Sequence, residues 1–233
     1  MRLNKYIAQS GYCSRRKADQ LIEDGVVTIN GNPSEVGQKV AHNDVVAVNG
    51  QKIEINEKEV YLAFHKPFGV ICTADEKADN TIYDYLPTDQ RLLYVGRLDV
   101  ESSGLLIMTS DGNVANAIAH GSGSHEKEYI VTVDKPINRA FAKKMRDGVI
   151  IEGEKTKPAL IKKMRDDRFS LIITQGRNRQ VRKMCEAFGY KVKTLRRVRV
   201  MNVKLGALGE GNYRPLTKNE RRGLLASLGM KQA

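Results

Sequence analysis

A carboxylate can take part in bond making at carbon or in proton transfer when a rigid frame holds it at the edge of a cleft. The segment Gly96-Arg97-Leu98-Asp99-Val100-Glu101-Ser102-Ser103-Gly104 offers that setting. An apolar run, Leu92–Val95, precedes it, and a second, Leu105–Met108, follows it. Both read as buried strands, so the polar residues between them lie where a scaffold can aim them into a cleft. Asp99 is the short ionisable group just after the first strand. The residues alone leave two readings open: a reactive carboxylate, or a loop-capping Asp bonded to nearby backbone N–H groups.

Other chemistries have no visible residues. Cys13, Cys72 and Cys185 are odd in number and far apart, with no C-x-x-C, so neither a disulfide framework nor a cysteine zinc site is expected. His42, His65, His120 and His125 form no H-E-x-x-H, and neither a Walker A loop nor G-x-G-x-x-G occurs. The expectation is a protein without a metal or cofactor. No apolar run reaches the roughly 18 residues of a membrane span, and the first residues lack the apolar core of a secretion signal. A cytoplasmic protein, monomeric and free of membranes, is expected.

The elements that must position Asp99 are strand-rich. After a polar stretch at 56–60, apolar runs recur at Tyr61–Phe64, Val70–Cys72, Leu92–Val95, Leu105–Met108, Tyr129–Val133 and Leu171–Thr174. Helical spacing marks 113–119, 139–146 and about 180–188. Strands outnumber helices without strict alternation, which predicts an α+β fold with a mixed sheet. Residues 1–55 read as a separate small unit. It has a short helix stopped at Gly11, a second helix capped by Ser14 and stopped at Gly25, then strands joined by Asn30-Gly31 and Asn49-Gly50.

The 233 residues carry a net charge of +12, and its placement matters. Residues 1–58 are nearly balanced, whereas 160–205 hold 14 Lys/Arg against Asp166, Asp167 and Glu186. A concentrated excess of that kind points to a polyanion such as nucleic acid.

The run from Arg2 to Pro33, with the later Asn43-Asp44-Val45-Val46-Ala47-Val48-Asn49-Gly50, resembles the S4 RNA-binding domain. That resemblance implies that Ser14, Arg15 and Arg16, at the second helix start, contact RNA phosphate. Four further segments resemble, in order, the motifs of the pseudouridine synthases that carry S4 domains and act on ribosomal RNA. They are His65-Lys66-Pro67-Phe68-Gly69; Gly96-Arg97-Leu98-Asp99 with Ser102-Ser103-Gly104; Lys127-Glu128-Tyr129; and 175–184 followed by 192–200. Within that branch, the segments beginning at His125 and Ile173 look most like the large-subunit ribosomal RNA synthase F subgroup.

The resemblance implies an S4 domain over 1–56 and a catalytic domain over 57–233. The latter would be a mainly antiparallel mixed sheet flanked by helices. It implies isomerisation of a uridine of ribosomal RNA, most naturally 23S, without a cofactor. Asp99 is then the catalytic carboxylate, adding to base or sugar or stabilising charge at C1′. Tyr129 stacks on the flipped uracil, and Arg182 is the cation beside Asp99. Arg97, Leu195, Lys127, Arg179 and Lys66 bind substrate, while Lys162, Lys163, Arg177, Lys183, Arg196, Arg197 and Arg199 line an RNA groove. Two departures are mild: Lys183 stands where much of the family has Arg, and Val181 where many members have Ile. The competing readings are a non-catalytic RNA chaperone and a synthase acting on 16S or transfer RNA.

Overall fold

The computed structural model describes residues 1–55, 58–75, 77–87, 91–120 and 125–230. The chain forms two compact units, one of residues 1–60 with 88–93 and 110–112, the other of 61–87, 94–109 and 113–233. The boundary expected between residues 56 and 57 lies outside the described residues.

The first unit holds α1 (Leu3–Gln9), α2 (Arg15–Glu23), β1 (Val27–Ile29), β2 (Asn32–Pro33), β3 (Val46–Val48) and β4 (Gln51–Ile53). Its antiparallel sheet has the order β2-β1-β3-β4. The Ser14 hydroxyl accepts the Lys17 N–H at 3.2 Å and so caps α2. Asn30 and Asn49 take φ of 53° and 50°, each followed by a glycine at positive φ, as two-residue hairpin turns require. Leu3, Ile7, Ala18 and Ile22 from the helices close over Val27, Val46 and Val48 of the sheet.

The second unit is built on β5 (Tyr61–Lys66), β6 (Leu93–Val95), β7 (Ser103–Thr109), β8 (Lys127–Val133), β9 (Ile150–Ile151), β10 (Glu154–Lys155), β11 (Leu160–Lys163), β12 (Arg168–Ile173), β13 (Val192–Val200), β14 (Val203–Lys204) and β15 (Tyr213–Pro215). The helices are α3 (Gly112–His120), α4 (Arg139–Asp147), α5 (Gln180–Glu186) and α6 (Lys218–Ser227). Nine strands make one sheet along β11-β12-β8-β13-β7-β5-β15, with β14 on β13 and β6 on β7. Along that path only β13 and β7 run parallel. One core gathers Val131, Phe141, Met145, Phe169 and Met184. A second gathers Ala63, Leu105, Ile107, Val114 and Leu224.

This is the expected α+β architecture with a mixed, mainly antiparallel sheet. Two details differ. Residues 70–72 form no strand: Ile71 makes a single bridge to Thr81, because the turn carrying Pro67 and Gly69 ends β5 first. And β13, nine residues rich in Lys and Arg, lies in the middle of the sheet, where the apolar runs of the sequence mark no strand.

The parallel pair depends on Gly104. It sits opposite Arg197 with φ +113°, and a Cβ there would lie 2.2 Å from the Arg197 carbonyl oxygen. Gly104→Ala combines backbone strain with a clash against fixed main chain and is expected to cost about 3 kcal/mol or more in urea unfolding.

Candidate active site

The loop between β6 and β7 carries Asp99 half-buried on the wall of a cavity of about 670 Å³. The sheet supplies the facing residues through its period of two. Lys127 and Tyr129 leave β8 on one face, Tyr129 pairs with Arg197 of β13, and Leu195 stands two residues before Arg197. All four line the cavity, as do Arg97, Arg177 and Arg179. Tyr129 is also part of the core, 8% exposed; one side chain both packs the sheet and presents an aromatic surface to the cavity.

Three buried cations hold the Asp99 loop by its carbonyl oxygens. The Lys66 ammonium, fully buried, donates to Pro67 O and to Ser102 O, both at 2.8 Å. Burial pushes it below the usual lysine range, an effect the nearby Cys72 and Asp99 oppose. Arg182 donates through Nη2 to Glu101 O at 2.7 Å and through Nη1 to Val192 O at 3.3 Å. Arg197 donates through Nη1 to Arg97 O at 3.3 Å and through Nε to Leu105 O at 2.7 Å.

These contacts correct three expectations. Lys66 is no surface ligand, since its ammonium is spent on backbone inside the fold. Arg197 is 1% exposed and belongs to the buried wall of the cavity instead of an exposed RNA groove. Arg182 does not pair with the Asp99 carboxylate; its ion-pair partner among the described residues is Glu101, with Nε to Oε2 at 3.7 Å.

Glu101 is the residue that sequence reasoning missed. It accepts from Arg179 at 3.0 Å, and the two guanidiniums hold its carboxyl below the usual range. Its position two residues after Asp99, in a basic neighbourhood, was the available signal.

Several other basic residues are already engaged. Arg199 pairs with Glu126 at 2.9 Å and Glu128 at 3.0 Å, Lys183 with Glu152 at 2.6 Å, Lys163 with Asp166 at 2.9 Å, and Arg177 with Glu154. Of these five basic residues, counting Arg179, only Arg177 and Arg179 reach the cavity. Lys162 and Arg196 are exposed on β11 and β13, and Ser14, Arg15 and Arg16 are exposed at the start of α2 in the other unit. Cys72 borders the cavity with its thiol raised by burial, and the fully buried Cys185 thiol is pushed up to about 12. Among the described residues no group of three or more His, Cys, Asp or Glu gathers as a metal site.

The cavity gathers the Asp99 carboxylate, a second carboxylate, Glu101, paired with Arg179 and Arg182, an aromatic ring, an apolar side chain and several cations. That combination suits chemistry on a flat heterocycle drawn out of an anionic polymer. Residues 1–46 match the model of the S4 domain, and residues 60–187 match that of the RNA pseudouridylate synthases. The chain belongs to the pseudouridine synthase family. Over 94% of its length it is 46% identical to the dual-specificity RNA pseudouridine synthase RluF of Escherichia coli K12, covering 77% of that protein. It is 40% identical to the ribosomal large subunit pseudouridine synthase B of Bacillus subtilis, with 97% of this chain and 96% of that one aligned. A crystal structure of a pseudouridylate synthase, 33% identical, superposes with a TM-score of 0.72 over 96% of this chain and 99% of that one.

This pseudouridine synthase is thus an enzyme that isomerises uridine within RNA. No helix among its described residues is long and apolar enough to cross a membrane. If the Tyr129 ring bears on the substrate base, Tyr129→Ala should lower turnover about 5- to 150-fold, the worth of one base stack of about 1–3 kcal/mol. Tyr129→Phe keeps the ring face and should retain most activity. Single-turnover rates on unmodified RNA check both.

Proposed function

We propose that the enzyme converts a uridine of large-subunit ribosomal RNA to pseudouridine with Asp99 as its catalytic carboxylate. The observation that carries the proposal is the placement of Asp99 on the same cavity wall system as Tyr129 and Leu195. The reaction breaks N1–C1′, turns the uracil over in the site and joins C5 to C1′. No atoms are exchanged with a second reactant, so a positioned carboxylate with acid–base capacity is sufficient in principle. Asp99 adds to base or sugar, or stabilises positive charge at C1′.

A target uridine in folded RNA must leave its stack first, and the Tyr129 ring with Leu195 recovers part of that cost. Arg97, exposed beside Asp99, takes the space the base leaves or holds its phosphate. Arg179 and Lys127 complete the substrate contacts. Arg182 acts through the loop it holds.

RNA is gripped by Ser14, Arg15 and Arg16 of an S4 domain over 1–56, and by Lys162 and Arg196 of a catalytic domain over 57–233. The exposure of these residues supports that role. The names of two similar proteins, one a large-subunit synthase and one a dual-specificity RNA synthase, support the large subunit as substrate. A monomer working in the cytoplasm without a cofactor is part of the same reading.

Asp99→Asn should abolish product while RNA affinity stays within a few-fold. Chemical labelling of pseudouridine with primer extension, on ribosomal RNA from cells carrying either form, checks it. Loss of one large-subunit signal identifies the site. Retained labelling would overturn the role of Asp99, and a loss confined to small-subunit or transfer RNA would overturn the substrate.

A further inference from the structure

Lys127 and Arg197 are cations placed next to Tyr129 on its face of the sheet. Lys127 stands two residues before it on β8, and Arg197 is its cross-strand partner on β13. Both line the cavity. The guanidinium of Arg197 is fixed from below by Leu105 O and Arg97 O, and its Nη2, buried, has no hydrogen-bond partner. The Lys127 ammonium gives one hydrogen bond, to His125 O at 3.2 Å. Among the described residues neither cation forms an ion pair. Two partly desolvated positive charges side by side are costly unless an anion joins them.

The reaction supplies such an anion. When N1–C1′ breaks heterolytically, the bonding pair stays on the uracil ring. If Asp99 adds to the base first, negative charge collects on the ring as an enolate. In both cases ring electrons then form C5–C1′ and N1 gains a proton. C5 loses its proton, and where Asp99 had added to the ring that bond breaks with its electron pair returning to the carboxylate, so atoms and electrons balance. A ring stacked on Tyr129 brings that charge beside both cations.

We infer that Lys127 and Arg197 form a cationic seat that stabilises the uracil ring while it is negatively charged. Lys127 is the donor that touches the ring, and Arg197 is the positioning residue behind it. The inference rests on the Asp99 and Tyr129 roles given above. It differs from a phosphate contact in what it predicts: the seat acts on the charged intermediate, so it moves kcat, whereas a phosphate ligand moves KM.

Lys127 shares the cavity with the carboxylates of Asp99 and Glu101 and the guanidiniums of Arg97, Arg177 and Arg179; Cys72 and Tyr129 also border it. Burial first, and then the charge of Arg197, hold the Lys127 ammonium below the usual lysine range. Its deprotonation therefore removes the seat at a lower pH than an ordinary lysine would.

The test compares kcat, KM and the pH profile of the wild type, Lys127→Met, Lys127→Arg and Arg197→Lys on ribosomal RNA from cells lacking the enzyme. Lys127→Met should lower kcat about 10²–10³-fold, the usual effect of removing one donor to a developing anion, with KM little changed. Lys127→Arg should recover most of the rate and lose the alkaline limb that the wild type shows. Arg197→Lys keeps the charge but loses the bonds to Leu105 O and Arg97 O. It should melt at a lower temperature and, assayed well below that temperature, show a lower kcat with KM little changed. A raised KM at unchanged kcat in Lys127→Met would make Lys127 a phosphate ligand and overturn the seat, as would unchanged kcat and KM together. If the wild type leaves ribosomal RNA unmodified, the substrate reading falls, and the same comparison on transfer RNA decides the seat independently.

Discussion

Burying an ammonium or a guanidinium carries a penalty of several kcal/mol, which only close and well-directed partners offset. In this enzyme the partners are mostly not carboxylates. Lys66, Arg182 and Arg197 direct donors at Ser102 O, Glu101 O and Arg97 O, three carbonyls of the loop that carries Asp99. The dependence runs both ways: the cations tolerate burial because the loop is there, and the loop keeps its shape because the cations are. Asp99 is thereby aimed by bonds to its neighbours' backbone, with its own side chain left available.

The same arrangement explains why the sheet changes direction in its middle. β13 must pass close enough to β7 for the Arg197 side chain to reach back to Leu105 O and Arg97 O. The parallel pairing at Gly104 provides that approach, and the absence of a side chain at Gly104 permits it. On the other side, antiparallel pairing with β8 sets Arg197 against Tyr129. One strand therefore links the loop that holds the carboxylate to the aromatic wall that faces it.

Much of this architecture is readable from local sequence. Ser14 before a helical run, and Asn-Gly at 30–31 and 49–50, act through their own backbone, so their structural meaning does not wait for tertiary contacts. The apolar runs around Leu105 and Val131 likewise declare buried strands. What was not readable depended on distant partners. Val192–Val200 carries four charged residues and looks like surface; its central place in the sheet follows from carbonyls about 90–100 residues earlier in the chain. Lys66 and Arg197 resemble RNA contacts for the same reason, because a lysine or arginine in a sequence does not reveal whether phosphate or backbone will receive its protons. Arg182 was expected at Asp99 and instead holds Glu101, whose acidity two residues on competes for the same cation. The C-terminal α6 went unread although Thr217 and Glu220 cap its start; its buried face is short, Leu224 and Leu225, and Glu220 is further tied to Arg214 at 2.7 Å.

The long reach of those carbonyl contacts orders the enzyme's birth on the ribosome. The small core of the first unit draws on residues 3–53 alone. The loop bearing Asp99 emerges next, but two of its three cations arrive only with residues 182 and 197. At ordinary rates of synthesis that interval is on the order of 5–20 s. Throughout it the nascent chain has a complete set of S4 core residues and a carboxylate loop with only one of its three staples, so the loop for chemistry waits on the late part of the chain.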